Sequence, residues 1–575
     1  MSRFYRSLLT LALIFAPVAA FAQELDLTIS QKIDKAMEGL ANGAASIVFW
    51  GPTIADGVTL PIVLVVLGST AIILTLYFKF INIRGFGIAL RTAAGKYTAK
   101  DAPGQITHFQ ALSAALSATV GLGNIAGVAV AVGIGGPGAT FWMIVMGLCG
   151  MTTKFAECTL GVKYRRIMKD GTVKGGAMYY LKDGLKEIGL GPIGAVLAVL
   201  FAIFTIGGAF GAGNMFQANQ AFSQFHSTFI GNTPDGTTEL IFGISLAVIV
   251  GMVILGGIVR IAHVTAFLVP FMCGAYVLAA LYIISTNLGD VIPAFETIFR
   301  SAFSNDAATG GLIGVLIQGI KRAAFSNEAG LGSAPIAHAA VKTDKPASEG
   351  FVALLEPFVD TVVVCTMTAL VIIITGTWQV SGEITQADVN LVAEPGSTEV
   401  VQPLDKGQFV HLRGTEDGYS EVIGLVSPEF EESTESVGWV SSDAVSDKSG
   451  VQVTSMAFGS SLSWFPAVLT IAVVLFAFST MISWSYYGQQ GVMYIFSFLG
   501  DDKVKIPVVI YKLIFCLLII VGSSASLNNV INLSDAMIFA MVAPNLIGLY
   551  LLLPVVKREA KSYLEHVKKI DKGES

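Results

Sequence analysis

Ser117-Ala118-Thr119-Val120-Gly121-Leu122-Gly123-Asn124 lies inside one apolar run (108–133), and Phe325-Ser326-Asn327-Glu328-Ala329-Gly330-Leu331-Gly332-Ser333 inside another (310–340). Both stretches carry Gly-Leu-Gly followed by a small polar residue, five apolar runs apart. Glycine removes the side-chain penalty on unusual dihedrals, so each run is predicted to unwind near its middle. In lipid, the peptide groups freed by unwinding must find partners, and a ligand can supply them. N–H groups opening a half-helix suit a carboxylate, while freed carbonyls suit a cation or an ammonium group. Small residues also serve plain close packing of helices, but a matched pair with Asn124, Ser326, Asn327 and Glu328 beside the glycines favours a site. An odd repeat length, here five spans, turns the second copy over. The pair therefore predicts a five-plus-five inverted repeat preceded by one extra span.

The rest of the chain fits that reading. Of 575 residues, 53% are hydrophobic and only 13% charged, whereas a soluble protein needs roughly a quarter charged. The solvent for most of it is lipid. Besides the two quoted runs, nine others approach the ~20 residues needed to cross a bilayer: 60–77, 138–162, 190–215, 239–259, 262–285, 350–376, 463–492, 506–526 and 533–554. Eleven spans result. Arg3 and Arg6, the apolar Leu8 to Phe15 and then Ala20-Phe21-Ala22 have the layout of a signal peptide cleaved after Ala22, which leaves the mature N-terminus outside. Alternate loops should then collect Lys and Arg. They do: Lys79, Arg84, Arg91, Lys96 and Lys100 follow the first span, seven more from Lys163 to Lys186 follow the third, and the tail adds six from Lys557 to Lys572. The opposite loops 216–238 and 527–532 have none, and 286–309 has only Arg300.

Three longer motifs carry a resemblance. Gly121 to Ala129, Gly135-Gly136-Pro137-Gly138 with Phe141-Trp142, and Arg322 to Pro335 resemble the alanine or glycine:cation symporter family of the amino acid/polyamine/organocation superfamily. The resemblance runs through 60–555 apart from one insertion. It implies an all-α membrane protein of the leucine-transporter type with eleven transmembrane helices. It also implies import of alanine, glycine or D-alanine with Na⁺ across the inner membrane. Carried over, substrate would meet Gly121, Gly123 and Asn124 at the first break, Phe325, Ser326 and Asn327 at the second, and Gln217, Thr480 and Trp484, with Trp484 capping the pocket. Na⁺ needs about six hard oxygen ligands by analogy with other hard cations; Thr119, Val120, Asn124, Ser479, Thr480 and Ser483 are the expected donors. Proton coupling and a channel are the alternatives. No cofactor, no nucleic-acid partner and no enzymatic constellation is expected.

The expected organisation is signal peptide 1–22, periplasmic segment 23–58, transporter core 59–377, a periplasmic insertion 380–458, the last core helices 460–555 and a cytoplasmic tail 556–575. Over 381–460 there are 14 acidic and 3 basic residues. Val389 to Pro395, the turn at Lys406-Gly407, Phe409 to Leu412 and Gly438 to Ser442 resemble a bacterial SH3 domain, and their alternation supports a small β-barrel. It would bind a cell-wall or periplasmic peptide or a protein partner, or merely cover the gate on the outer face. The five cysteines read as buried small hydrophobes. Lys154 and Glu157 are expected to pair, Glu356 and Asp360 to feel substrate, ion or Lys321 and Arg322, and His263 and His338 to meet the interface.

Overall fold

The computed structural model describes residues 29–55, 58–99, 101–231, 236–304, 311–397, 399–416, 418–426, 431–500 and 503–573. The expected signal peptide and its cleavage site at Ala22 lie outside these. Helix α1 (Ile29–Val48) precedes α2 (Ile62–Tyr77), a uniformly apolar helix of 16 residues. The first quoted stretch is indeed broken. Helix α3 (His108–Thr119) stops, Val120 turns extended, and α4 (Leu122–Gly135) restarts with Gly121 as its N-cap. A capping box opens α3: the Thr107 hydroxyl accepts from the Gln110 N–H at 3.2 Å and the Gln110 side chain accepts from the Thr107 N–H at 3.0 Å.

Helix α5 (Ala139–Lys163) follows, then α6 (Gly191–Phe210) and α7 (Phe216–Phe229), joined by a π-helical turn at Gly211–Met215. Next come α8 (Gly236–Ile254), α9 (Gly257–Thr286) and α10 (Leu288–Ala302). The second quoted stretch breaks too. Helix α11 (Gly311–Asn327) ends, Glu328, Gly330 and Gly332 take φ of 58°, 90° and 78°, and the short α12 (Pro335–His338) follows. Helix α13 (Pro346–Ala353) leads through a π-helical stretch at Phe358–Cys365 into α14 (Thr366–Ile374). After the insertion come α15 (Val451–Ser461), α16 (Phe465–Ile495), α17 (Lys505–Ser524), α18 (Leu527–Phe539), α19 (Val542–Leu551) and α20 (Leu553–Asp571).

Among the described residues, nine helical stretches are long and apolar enough to cross a membrane, so the chain is a multi-pass membrane protein. The other two expected spans are the short α2 and the broken α11–α12 stretch. The last span begins at Leu527, six residues before its expected start. Helix α5 packs on α4, α11 and α13, α4 also packs on α11, α6 packs on α16, α8 on α17, and α1 lies on α18. The apolar sides of these helices form one continuous core.

The insertion holds strands β1 (Gly382–Ile384), β2 (Val389–Val392), β3 (Val400–Leu404), β4 (Phe409–Glu416), β5 (Tyr419–Val426), β6 (Glu431–Ser441) and β7 (Val445–Asp447). They pair antiparallel in the order β7-β1-β4-β5-β6-β2-β3. Ile384, Leu391, Leu404, Val410, Val422 and Val440 give the sheet its own small core, apart from the helices.

Candidate functional site

The two breaks meet. Asn124, in the first turn of α4, is fully buried and folds its side-chain oxygen back onto the Gly121 N–H at 2.8 Å. Its amide nitrogen points across to the second broken helix, 2.9 Å from Ser326 Oγ, and to Asp360 Oδ1 at 2.6 Å. Ser326 Oγ and Thr361 Oγ1 donate to Asp360 Oδ2 at 2.8 and 2.7 Å, and Asn327 Nδ2 donates to Thr361 Oγ1 at 2.9 Å. A Cβ on Gly123 would stand 3.4 Å from Ser326 Cα, at ordinary contact distance, so the two broken segments lie side by side here.

Asp360 is a buried carboxylate whose described hydrogen-bond partners are all uncharged. The π-helical stretch that carries it widens the turn, an irregularity common at functional sites. A bare carboxylate in a dry interior is costly, and a cation beside it would offset that cost.

Gln217 is placed by the other π-helical turn: its amide donates to the Ala212 carbonyl, five residues back, at 2.9 Å. Its Oε1 is buried without a hydrogen-bond partner and lies 3.5 Å from where a Cβ on Gly121 would stand. That Cβ would overlap Thr480 Oγ1. Phe325 meets Phe216 edge-on at 5.2 Å, with the Arg322 guanidinium 5.3 Å from its ring centre.

A second group of oxygens joins α3 to α16. Ser117 Oγ donates to the Ser479 carbonyl at 2.7 Å, Thr480 Oγ1 donates to the Ser117 carbonyl at 3.0 Å, and Ser483 Oγ donates to Ser117 Oγ at 3.0 Å. The six expected ion donors thus divide. Ser479, Thr480 and Ser483 gather around Ser117, while Asn124 sits with Ser326 and Asp360. Thr119 turns its hydroxyl toward carbonyls of its own helix at 3.3 and 3.4 Å, and Val120 ends that helix. Trp484 is buried and donates from Nε1 to Glu328 Oε1 at 3.0 Å, so it reaches the second break through Glu328.

Sequence reasoning put Ser117 in the decisive stretch but not among the ion donors, and passed over Thr361; the helical neighbourhood of Asp360, an acidic residue mid-span, was the available signal. Three expectations about ion pairs change. Lys154 donates to Glu356 at 2.8 Å, not to Glu157, whose partner is Asn545 at 2.5 Å. Lys321 and Arg322 pair with Asp535 on α18 and not with Glu356 or Asp360. His338 is fully buried between Glu349 and Glu356. Lys154, Arg322 and His338 are buried with no water to turn to, so each takes a carboxylate outside its own helix.

A family model described as the sodium:alanine symporter family matches residues 46–401 and 434–575. The unmatched piece falls within the sheet. The sodium/alanine symporter AgcS of Methanococcus maripaludis is 40% identical over 88% of this chain and 94% of its own length. A Bacillus subtilis protein, YrbD, named for sodium/proton-dependent alanine carriage, is 32% identical over 81% of this chain and 83% of its own. A crystal structure of MhsT with L-phenylalanine covers 80% of this chain and 99% of its own at 14% identity, with a TM-score of 0.46, too loose a likeness to argue from.

Proposed function

The chain belongs to the sodium:alanine symporter family, a family of transporters and not of enzymes, and from that premise we propose how its own residues carry out Na⁺-coupled uptake of a small neutral amino acid. The substrate is alanine or glycine, including D-alanine. The observation that carries the reading is the contact of the two breaks through Asn124, Ser326 and Asp360. The substrate ammonium lies toward the unpartnered Gln217 Oε1, and its carboxylate toward the N–H groups that open α4 at Leu122 and Gly123. Gly121, Gly123, Phe325, Asn327, Thr480 and Trp484 line or support the pocket. Na⁺, as cargo, is held by hard oxygens: Asp360, Ser326 and Asn124 in one group, and Ser117, Ser479, Thr480 and Ser483 in the other, with Thr119 and Val120 at the break between them.

The same reading places eleven spans in the inner membrane as a five-plus-five inverted repeat of the leucine-transporter type. The N-terminus, after signal-peptide removal, and the SH3-like insertion are periplasmic, and the tail is cytoplasmic; the Lys and Arg of alternate loops support that orientation. The insertion binds a peptide or cell-wall ligand. Proton in place of Na⁺ is the second reading, favoured by the name of the YrbD relative. Uptake of radiolabelled alanine into proteoliposomes tests both. Accumulation above the external concentration with a Na⁺ gradient, abolished by choline and unaffected by a proton gradient alone, is expected. Accumulation driven by a proton gradient without Na⁺ would shift the assignment, and equilibration without accumulation would indicate a channel.

A further inference from the structure

Outside the two breaks, five ionisable side chains form one buried file. His108 at the start of α3 meets Glu349 of α13 through Nδ1. His338 of α12 meets Glu349 through Nδ1 and Glu356 through Nε2, and Lys154 of α5 donates to Glu356 Oε2 at 2.8 Å. None of the five is more than 4% exposed.

A neutral imidazole carries one N–H and one lone pair. Both ring nitrogens of His338 face carboxylate oxygens. A neutral ring between two ionised carboxylates would therefore press one nitrogen lone pair against an oxygen lone pair. One more proton, on the ring or on a carboxyl, removes the conflict. The charges agree: with that proton, His338 and Lys154 balance Glu349 and Glu356, and His108 donates to Glu349 as a neutral ring. Without it, a net negative charge stays buried among these helices, which is costly.

We propose that His338, clasped by Glu349 and Glu356, is the binding site of one exchangeable proton, separate from the Na⁺ sites, that fastens the segment after the second break to the helices around it. Glu328, Gly330 and Gly332, all at positive φ, make a hinge just before α12. Occupancy of the proton site decides how firmly the hinge is held. Other ionisable groups surround the file. Arg165 and Tyr563 face Glu349. Cys158 Sγ lies within 4.8 Å of both His338 and Glu356, Glu328 and Tyr487 feel the Glu356 charge, and Glu157 feels that of Lys154. None of them replaces the proton. Arg165 spends its guanidinium on the carbonyls of Pro103, Ala339, Val341 and Thr343.

Thermal unfolding of the purified full chain, followed by tryptophan fluorescence between about pH 5.5 and 9.5 without Na⁺ or alanine, tests the proposal independently of the transport reading. The expected wild-type midpoint falls by several degrees as pH rises and the proton leaves. His338→Gln, which offers one amide donor and one acceptor, is expected to unfold at a lower temperature at acid pH and to lose that pH dependence, while His263→Gln, at an exposed position, keeps the wild-type profile. If His338→Gln does not fold, Glu349→Gln decides: its amide can donate to a neutral His338, so its profile should also be flat. A flat wild-type profile, or a slope that persists in His338→Gln or Glu349→Gln, would overturn the proposal.

Discussion

Gly121 and Asp360 carry the sharpest consequences. A Cβ at Gly121 would overlap Thr480 Oγ1, so Gly121→Ala should cut alanine uptake at least tenfold while Gly127→Ala, whose Cβ would meet nothing nearer than 3.9 Å, leaves it within about twofold; initial uptake rates check both. Asp360→Asn removes the charge that Asn124 and Ser326 contact and should raise the Na⁺ concentration for half-maximal uptake at least tenfold, with a smaller effect on the alanine requirement. Na⁺ titrations at fixed alanine read the difference. Asn124 and Ser326 could be read from the sequence because they sit inside motifs whose glycines announce a break. Asp360 could be read only as an expensive charge in a span, since nothing in its neighbours signals the π-helical turn that aims it. Ser117 was hidden for another reason: it acts partly through its backbone carbonyl, which any residue possesses.

At the scale of elements, the breaks were legible and the charge pairings were not. Gly-Leu-Gly dictates where a helix can unwind, and both helices end within a residue or two of it. Pairing depends on which helices lie side by side. Lys154 and Glu157 share a helix at a spacing that permits contact, yet Lys154 reaches α5's neighbour and takes Glu356. Lys154→Met therefore leaves Glu356 with His338 as its remaining charged partner and strands one buried negative charge, which should destabilise the chain by about 3–5 kcal/mol, with Lys154→Met/Glu356→Leu recovering part of the loss. Chemical denaturation in detergent measures both. If the double variant were as unstable as the single, the stranded charge would not be the cause.

For the whole molecule, the insertion stands as a separable body. Its sheet has its own core, and its ends meet, with the Lys448 N–H donating to the Ser381 carbonyl at 2.8 Å. Replacing 382–447 with two glycines should leave Na⁺-driven uptake within a few-fold of wild type; loss of uptake in a folded deletion variant would tie the sheet to transport. Its strands were legible from alternation and Gly/Pro punctuation, but the sheet order was not, because pairing across β1, β4 and β7 is long-range. At the other end, α20 is tied down where Lys96, Arg91 and Tyr97 contact Asp571. Hydrogen bonding to Lys96 holds the Asp571 carboxyl below the ordinary aspartate range. A depressed carboxylate stabilises above its unfolded value, about 3.9, and loses that contribution as pH falls through the folded value. Hydrogen exchange over 553–571, corrected for intrinsic rates, should thus rise below about pH 4, and rise at neutral pH in Asp571→Asn.

The junction of the two broken helices is tested most directly by equilibrium binding of radiolabelled alanine to the purified protein, with and without Na⁺. Saturable binding that needs Na⁺, is lost in Asn124→Ala and needs at least tenfold more Na⁺ in Asp360→Asn, with each variant still folded, is the predicted result. Undiminished Na⁺-dependent binding in the two variants would contradict it.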